Sequence, residues 1–495
     1  MNNTLKAAAL VLGVLLTACG GGGGGGSDGG PGPISIVPAT ATVPVGGQKA
    51  FTLSPSASTT WSVDGNEGGN GTVGTISPIG LYTAPFVLPS LSTAILPSPS
   101  TAVPPSPLTV TVSASAAENT ASVTVVSRFV VGGAVSVGPP CSGPPCPVHL
   151  PNAVVAADLN HDNRSDLVTA NSRSGTISVL LAGPSGTFSD PRMDTVGDPS
   201  TGNPQALVAG GFNDDSNVDL AVADADPNDL AVRTLLGNGD VTGTFQTEIP
   251  SPLSTNSDPL SMAFGHFSND TILDLVVANF NTSTVEVLMG NGTGSFSQPT
   301  MTIMSIETNP LGVAAADFNR DGFDDFTVAN SGDGTVAVFL NNTNGGFPAA
   351  QTYLVPGSPS AVAAVDLNED GCPDLAVTSA IDSTVTVLLN QKAGACASVF
   401  TLASPYPTGP RPIALASGDW NKDGASDLVV ANHDGKTVTV FLGYGDGTLV
   451  NSETYPVGNE PQSVAVGDFN GDSWPDLAVA NSGGDTVSIL INQGQ

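Results

Sequence analysis

Five short segments of this chain place acidic and amide side chains at fixed positions of a nine-residue loop. Asp stands at positions 1, 5 and 9, and Asn at position 3. Calcium prefers about six to eight hard oxygen ligands, and the main-chain carbonyl at position 7 would add one more. The pattern therefore predicts about five Ca2+ sites. Their donors are Asp158, Asn160, Asp162, Arg164 and Asp166; Asp317, Asn319, Asp321, Phe323 and Asp325; Asp366, Asn368, Asp370, Cys372 and Asp374; Asp419, Asn421, Asp423, Ala425 and Asp427; Asp468, Asn470, Asp472, Trp474 and Asp476.

Two weaker copies lie between the first and second of these segments, so the full loops are numbers 1, 4, 5, 6 and 7 along the chain. Loop 2 has glycine at position 1 and keeps Asn213, Asp215 and Asp219, which makes it a weaker candidate for a metal. Loop 3 has His266 and Ser268 at positions 1 and 3 and is expected to stay empty. A simpler interpretation covers all seven loops, namely tight Asx turns without a metal.

Position 6 must turn the chain sharply, and its residue types suit a backbone with positive φ. Glycine stands there in three loops, as Gly322, Gly371 and Gly424, and adopts positive φ without a steric penalty. Asn163 tolerates the same conformation, and Ser473 does so less well. The runs on both sides of each loop are short and apolar, so strands are expected there, which excludes a helix-flanked EF-hand.

The loops recur at a nearly constant interval. Position 1 falls at residues 158, 211, 266, 317, 366, 419 and 468, so successive copies lie 49 to 55 residues apart. Each copy reads as four short strands, and in the sixth copy these are 413–418, 428–431, 437–442 and 451–457. Four-stranded units repeated about four to eight times are typical of propellers. The sequence thus predicts an all-β protein whose residues 128–495 form a seven-bladed β-propeller.

The two ends of this region predict how the ring closes. The seventh copy stops at residue 495, just after its third strand. Residues 129–138 precede the first copy and share the residue frame of the outer strands in the other copies. We therefore expect 129–138 to pair with the last blade, which would close the ring and remove an exposed strand edge.

The Asp-rich loops, together with a later Gly-x-Gly-x-Gly-x-Phe segment, resemble the FG-GAP/VCBS repeats of integrin-α-type propellers. The resemblance covers all seven copies. It implies calcium bound between the first two strands of a blade. It also implies that the opposite face, which carries the strand two to three turns, meets a partner.

The first residues predict export and lipid attachment. Residues 1–18 have a lysine followed by a short apolar stretch, typical of a signal peptide and too short to span a bilayer. Leu16-Thr-Ala-Cys19 resembles a lipoprotein cleavage motif, which implies a lipid on Cys19, a Gly-rich tether over 19–32, and a place at the outer membrane or cell surface. The alternative is an ordinary signal peptide with an incidental cysteine.

Residues 33–127 alternate apolar and polar side chains, which predicts half-buried antiparallel strands in a β-sandwich. Trp61 and the run Gly80-Leu-Tyr-Thr-Ala-Pro85 resemble bacterial Ig-like domains. Seven prolines mark 85–107 as an extended insert. A spacer role is expected for this domain. Four cysteines remain after Cys19, and the expected disulfides are Cys141–Cys146 and Cys372–Cys396.

The net charge and the absence of catalytic motifs limit the classes of function that this chain can have. The formal net charge of −32 disfavours nucleic acid and anionic lipid surfaces, so membrane contact is expected only through the lipid. The four histidines are scattered and no Gly-x-Ser-x-Gly motif occurs, so a binding module is favoured over an enzyme. The expected protein is a monomeric, lipid-anchored adhesion or ligand-binding propeller for a protein or glycan. The alternatives are a carbohydrate-active enzyme, such as a polysaccharide lyase, and a scaffold of an outer-membrane complex.

The residues that could meet a ligand lie in polar turns. They are rich in Asn, Ser, Gly and Asp, and turn chemistry alone would explain them. Arg411, His433 and Lys436 are among the few basic groups there. The turns are 171–175, 330–334, 432–436, 481–485, 201–204, 408–412 and 458–461.

Overall fold

A computed structural model describes backbone and side chains for residues 128–139, 148–213, 215–297, 308–342, 345–392, 396–449 and 453–494. For 301–303, 393, 395, 450–452 and the strands between 35 and 126, it describes the backbone alone. The predicted signal peptide, Cys19, the tether, the insert over 85–107 and the Cys141–Cys146 pair lie outside the described residues.

The N-terminal segment contributes eleven short strands in three sheets, with strand orders β1-β4, β2-β11-β10-β5-β6 and β3-β9-β8-β7. Neighbouring strands run antiparallel except β11 and β2, which pair in parallel, contrary to the all-antiparallel expectation. Their bounds are β1 Ser35–Val37, β2 Thr40–Pro44, β3 Gln48–Ala50, β4 Thr52–Ser54, β5 Trp61–Val63, β6 Asn66–Glu67, β7 Gly69–Asn70, β8 Gly74–Ile76, β9 Leu81–Thr83, β10 Leu108–Ala114 and β11 Ala121–Val126.

The rest of the chain forms seven antiparallel sheets, the blades, numbered as their loops. Blades 1 to 4 are β13 Pro151–Ala157, β14 Asp166–Asn171, β15 Thr176–Leu180, β16 Arg192–Thr195; β17 Pro204–Gly210, β18 Asp219–Asp224, β19 Ala231–Leu235, β20 Ile249–Pro252; β21 Pro259–Gly265, β22 Asp274–Asn279, β23 Thr284–Leu288, β24 Met301–Ile303; β25 Pro310–Ala316, β26 Asp325–Asn330, β27 Thr335–Phe339, β28 Gln351–Leu354.

Blades 5 to 7 complete the set, and blade 7 takes its fourth strand, β12, from before blade 1. Their strands are β29 Pro359–Val365, β30 Asp374–Ser379, β31 Thr384–Ala393, β32 Ala395–Leu402, β33 Tyr406–Pro407; β34 Pro412–Gly418, β35 Asp427–Asn432, β36 Thr437–Gly443, β37 Leu449–Pro456; β38 Pro461–Gly467, β39 Asp476–Asn481, β40 Thr486–Asn492 and β12 Phe129–Ser136. The described helical turns are two short 3-10 segments, Pro184–Gly186 and Ser482–Gly484.

The second strand of every blade is buried along its whole length. Its sequence runs Asp-Leu or Asp-Phe, then small and β-branched residues, without polar alternation. A strand covered on both faces needs such a continuous run, because neither side meets water. This strand therefore anchors the end of each Asp-rich loop.

The first strand of each blade begins with proline, and the pairing shifts register just after it. Proline donates no ladder hydrogen bond, so the first position of a strand is one of the few places that accept it. In blade 6 the strand starts at Pro412, one residue earlier than expected, because that proline already pairs with Asn432.

The apolar core is divided among the blade interfaces. Seven clusters of buried residues each join two neighbouring blades, including blade 7 with blade 1. The first strands also contact one another in order around a circle, and β38 contacts β13. A seven-membered ring of twisted sheets follows from these contacts, with the loops between first and second strands on one face.

In blade 7, β12 pairs antiparallel with β40, from Phe129 opposite Asn492 to Ser136 opposite Thr486. A register shift after Val131 is accommodated at Gly133, whose φ is 112°. Phe129 is 1% exposed. Its ring centroid lies 5.5 Å from that of Tyr455 in blade 6.

Candidate metal loops

Each Asp-rich loop folds into a network of side-chain to backbone hydrogen bonds. In loop 4, Asp317 accepts the N–H groups of Asp321 (3.1 Å) and Gly322 (2.9 Å). Asn319 accepts the N–H of Asp321 at 2.8 Å, and Asp321 accepts that of Phe323 at 3.0 Å. Loops 1, 6 and 7 repeat all four bonds. These are Asx turns, and they hold the predicted donors of each loop around one short stretch of backbone.

Two positions of the loop are left-handed. Position 6 has φ between 63° and 93° in all five full loops, with Asn163 and Ser473 adopting it beside the three glycines. Position 4 is also left-handed, which the sequence did not indicate, because four of the five residues there carry side chains: His161, Arg320, Glu369 and Lys422. The Asx network fixes this conformation despite its steric cost.

The position 9 aspartates have a structural role that the sequence analysis did not assign to them. In loop 4, one oxygen of Asp325 accepts the N–H of Phe318 at 3.0 Å, and the other accepts the N–H of Asn341 at 2.7 Å. The same pair of bonds occurs in all seven blades. A signal was present in the sequence: Asp219 and Asp274 persist where loops 2 and 3 lack an acidic residue at position 1.

Electrostatics around position 9 favour a nearby cation. Burial raises the pKa of Asp325, Asp427 and Asp476 to about 7, and carboxylates earlier in the same loops add to the rise. Burial likewise raises the pKa of Asp166 and Asp374 to about 6. A divalent cation beside these groups would offset both the burial and the mutual repulsion.

The donor set fits Ca2+ by its chemistry. Each full loop offers carboxylate, amide and carbonyl oxygens, and a carboxylate has about four acceptor positions, so one hydrogen bond on each oxygen leaves half of them open. In loop 5, the buried Oδ1 atom of Asp366 has no hydrogen-bond partner. Within the described part of the chain, no three Asp, Glu, His or Cys side chains are gathered at metal-holding distance.

In their described residues, loops 2 and 3 lack part of the hydrogen-bond network of the full loops, as expected from their missing oxygen donors. In loop 2, the amide of Asn213 donates to Asp215 (3.0 Å), and Asp219 caps backbone N–H groups as in the other blades. In loop 3, His266 lies on the surface with Nδ1 3.3 Å from the carbonyl oxygen of Ile272. Neither loop repeats the position 1 bonds of loop 4.

Basic side chains lie beside three of the full loops. The Arg164 guanidinium donates to the Asp162 carboxylate at 2.5 Å within loop 1. The Lys392 ammonium donates to the carbonyl oxygen of Asp370 in loop 5. In loop 6, the Lys422 ammonium lies 4.3 Å from the ring centroid of Trp474 in loop 7.

On the opposite face, several of the predicted turns start at a buried asparagine. Asn171, Asn432 and Asn481 are fully buried, and their amides donate to hydroxyls of the third strand in their own blades. Two of the basic groups there are paired: Arg411 lies 3.5 Å from Asp434, and His433 lies 2.7 Å from the same carboxylate. These contacts stabilise the turns, as expected for residues of these types.

Blade 2 replaces this amide–hydroxyl pair with charges that the sequence analysis missed. Asp224 stands where most blades have Asn, and Arg233 is buried beside it with Nε 2.7 Å from Oδ2. Asp229 and Glu248 complete the partners of the guanidinium. A buried charge needs such partners to offset its desolvation, so the cluster is a structural ion pair network.

The predicted disulfide in blade 5 is present. Cys372 and Cys396 are bonded, with Cα atoms 5.6 Å apart. Cys372 is position 7 of loop 5, and Cys396 lies in β32, so the bond joins the loop to the outer strand of its blade.

The fold and its loops define an all-β, seven-bladed propeller with an Asp-rich loop between the first two strands of each blade. Within it, the chain contains FG-GAP-like repeats, matched four times at residues 266–328, 319–377, 366–430 and 419–479. These matches include loops 3 to 7, while loops 1 and 2 precede them. Comparison with curated proteins finds no match.

Solved propellers resemble this chain in fold. A crystal structure of BBS1N in complex with ARL6DN, soaked with mercury, matches with a TM-score of 0.50 and 15% identity, over 74% of this chain and 97% of the other. The same complex soaked with lead matches with a TM-score of 0.49 and 14% identity, over the same shares. Identities this low show the fold alone. Among the described residues, no helix has the length and apolar character to cross a membrane.

Proposed function

We propose that this chain is a calcium-stabilised propeller that binds a protein or glycan at the cell surface. The observation that carries the proposal is the five-fold repetition of a complete oxygen set in loops 1, 4, 5, 6 and 7. Their Asx networks fix the loops, and the unpartnered Oδ1 of Asp366 shows acceptor capacity left inside one of them. Calcium in these loops stabilises the folded blades because the ion binds them more tightly than it binds the open chain.

The surroundings of the four histidines favour binding over one type of catalysis, acyl transfer. His161 and His266 lie in loops 1 and 3, and His433 pairs with Asp434. His149 is buried, and its backbone N–H donates to Asp485. None of these contacts pairs a histidine with a serine, threonine or cysteine nucleophile, as acyl transfer would need.

A protein or glycan ligand suits a propeller with polar turns on one face. The similar BBS1N propeller was crystallised in complex with ARL6DN, which supports a protein partner by analogy of fold alone. An enzyme acting on polysaccharides and a scaffold for an outer-membrane complex are the alternatives. We expect the binding module to act as a monomer.

The ring is closed by residues 129–138, which supply the outer strand of blade 7. Support comes from the pairing of β12 with β40 and from the burial of Phe129 between blades 6 and 7. Closure of this kind removes the open edge that a seven-bladed ring would otherwise expose.

The N-terminal part places the propeller outside the cell. Cys19 carries the lipid, 19–32 is the tether, and 33–127 is an Ig-like spacer. This part of the proposal rests on the sequence motifs. Metabolic labelling with an alkyne fatty acid tests it: the intact chain should take up label, and Cys19→Ala should not. Equal labelling of both chains would remove the lipid anchor from the proposal.

The ligand-binding proposal is tested with the chain from Gly20 onward in calcium buffer. It is incubated with a panel of polysaccharides, and both retention on the polymer and polymer length are followed over time. Retention with unchanged length supports a glycan-binding module. Shortened chains or new unsaturated ends would show an enzyme. If neither occurs, capture from cell envelopes with and without EDTA tests for a protein partner.

A further inference from the structure

The metal loops contact one another through position 4. Its left-handed backbone, with φ of 59° at His161 and 53° at Lys422, directs the side chain toward the next blade. His161 Nε2 lies 3.1 Å from Oδ1 of Asn217, which is position 7 of loop 2. The Arg320 guanidinium lies against Gly371, position 6 of loop 5.

The contact between loops 6 and 7 is the most specific of these. The Lys422 ammonium lies 4.3 Å from the ring centroid of Trp474. Gly494 lies against the indole nitrogen, so the chain end also confines the ring. The backbone of Trp474 is fixed by its N–H, which donates to Asp472 at 2.8 Å, and its carbonyl is the position 7 donor of loop 7.

Lys422 is itself held by loop 6. It lies between Asn421 and Asp423, the donors at positions 3 and 5, whose side chains are joined at 2.8 Å. The N–H of Asp423 is accepted by both Asn421 and Asp419. The direction in which Lys422 projects is therefore set by the same backbone that presents the oxygens of loop 6.

We propose that Lys422 couples calcium binding in loops 6 and 7, so that filling either loop raises the affinity of the other. This inference rests on the proposed calcium sites and adds a residue that positions one loop from its neighbour. A filled loop 6 holds its backbone, and with it the Lys422 ammonium over the indole. The Trp474 carbonyl is then held in place before loop 7 takes its ion.

The size of the coupling follows from the contact. A cation–π contact at an exposed site corresponds to about a two- to fivefold change in an equilibrium constant. Because coupling of binding free energies is reciprocal, the same factor must appear at loop 6 when loop 7 is disabled. Reciprocity separates coupling from a purely local effect of Lys422 on Trp474.

The chain offers a separate probe for each loop. It has three tryptophans: Trp420 is position 2 of loop 6, Trp474 is position 7 of loop 7, and Trp61 lies in the N-terminal segment. We would label the chain from Gly20 onward with 5-fluorotryptophan and titrate calcium after EDTA treatment, following the fluorine NMR signals. Trp474→Phe assigns the loop 7 signal.

Three variants test the coupling. Asp423→Asn disables loop 6, and Lys422→Met removes the ammonium while keeping an unbranched side chain of similar length. Each should raise the calcium midpoint of the Trp474 signal about two- to fivefold. The double variant should shift it no further than either single variant, because both remove the same link. Asp472→Asn, which disables loop 7, should raise the midpoint of the Trp420 signal by the same factor.

Lys436→Met is the matched control, because Lys436 is exposed in the same blade and has the same φ of 53°. It should leave both midpoints unchanged. If Asp423→Asn leaves the Trp474 midpoint at its wild-type value, or if the two shifts add fully in the double variant, the coupling is overturned while the calcium sites stand. If neither tryptophan signal of the wild-type chain responds to calcium, the proposed sites fail as well.

Discussion

The aspartate at position 9 is present in all seven blades, and its hydrogen bonds explain why. Its two oxygens accept N–H groups from position 2 and from the end of the third strand, as at Asp274 with Phe267 (3.0 Å) and Gly290 (2.8 Å). Hydrogen bonds to a charged acceptor are each worth about 1.5–3 kcal/mol. The aspartate at position 9 therefore stabilises the blade with or without a metal. Among the described residues, the side chains at positions 1, 3 and 5 form hydrogen bonds only within the loop.

Loop 3 allows this role to be measured apart from calcium, because it lacks an oxygen donor of the expected type at position 1. Asp274→Asn replaces one acceptor oxygen with an amide NH2 group, a donor that faces a backbone N–H donor. We expect the free energy of unfolding to fall by about 1.5–3 kcal/mol in urea denaturation. Asp270→Asn in the same loop is exposed and should cost less than about 0.5 kcal/mol. Equal, small effects of both substitutions would refute the structural role.

The sequence predicted the loops position by position, because each position requires a particular type of residue. The oxygen donors at alternate positions and the glycine at position 6 could be recognised in the sequence, and the structure places all of them in one turn. The hydrogen bonds of position 9 were not readable, because their partners lie up to 16 residues away, as for Asn341 and Asp325. The buried Arg233 network was missed because a charged residue in a strand usually indicates an exposed site.

Strands and turns were the elements best indicated by the pattern. The second strands run from an Asp through mainly apolar residues to Asn, Asp or Ser, and in the sixth copy the predicted strand 428–431 lies within the observed Asp427–Asn432. In the sixth copy the observed bounds differ from the predicted ones by one or two residues: Pro412 starts the first strand by pairing with Asn432, and the fourth strand begins at Leu449 rather than at residue 451. The parallel pairing of β2 with β11 was not foreseen, because alternation sets the buried face of a strand but not its direction.

The disulfide is the one covalent link between a metal loop and an outer strand among the described residues. Its closed segment has a sequence separation of 24 residues, and a loop of that length is expected to stabilise the fold by about 2–4 kcal/mol. Reduction of the wild-type chain should therefore lower the urea midpoint. Cys372→Ala/Cys396→Ala should start at the lower midpoint and respond to the reductant less than the wild type, because only the expected Cys141–Cys146 bond remains to be reduced. A midpoint that is the same before and after reduction would contradict this role.

The first strand of the propeller offers a test of ring closure. Phe129 is buried against Trp420 and Tyr455, with ring centroids 6.4 and 5.5 Å away. Phe129→Ala should destabilise the fold by about 3–5 kcal/mol, a typical cost for deleting a buried aromatic ring. Ala134→Ser, at an exposed site of the same strand, should change thermal unfolding little. If Phe129→Ala melts like the wild type, β12 does not hold blade 7.

At the scale of the whole propeller, the fold is a ring with two different faces. One carries seven Asp-rich loops and much of the negative charge, and the other carries turns whose first residues are buried and, in five of the seven blades, are asparagine amides. The formal net charge of −32 is large for a chain with 12 basic residues, and crowded carboxylates destabilise a compact state through repulsion. Calcium in five loops would bring ten positive charges to one face. Fold and metal content are thus linked in this account.

The most direct test of that link is a count of calcium. The chain from Gly20 onward is stripped with EDTA, dialysed against buffered calcium, and analysed for bound metal and melting temperature. We predict about five ions per chain and a melting temperature that rises as they bind. Asp317→Asn/Asp321→Asn, which disables loop 4, should lower the count by one. Binding of no calcium at millimolar concentration, with unchanged melting, would contradict the account and leave the loops as Asx turns.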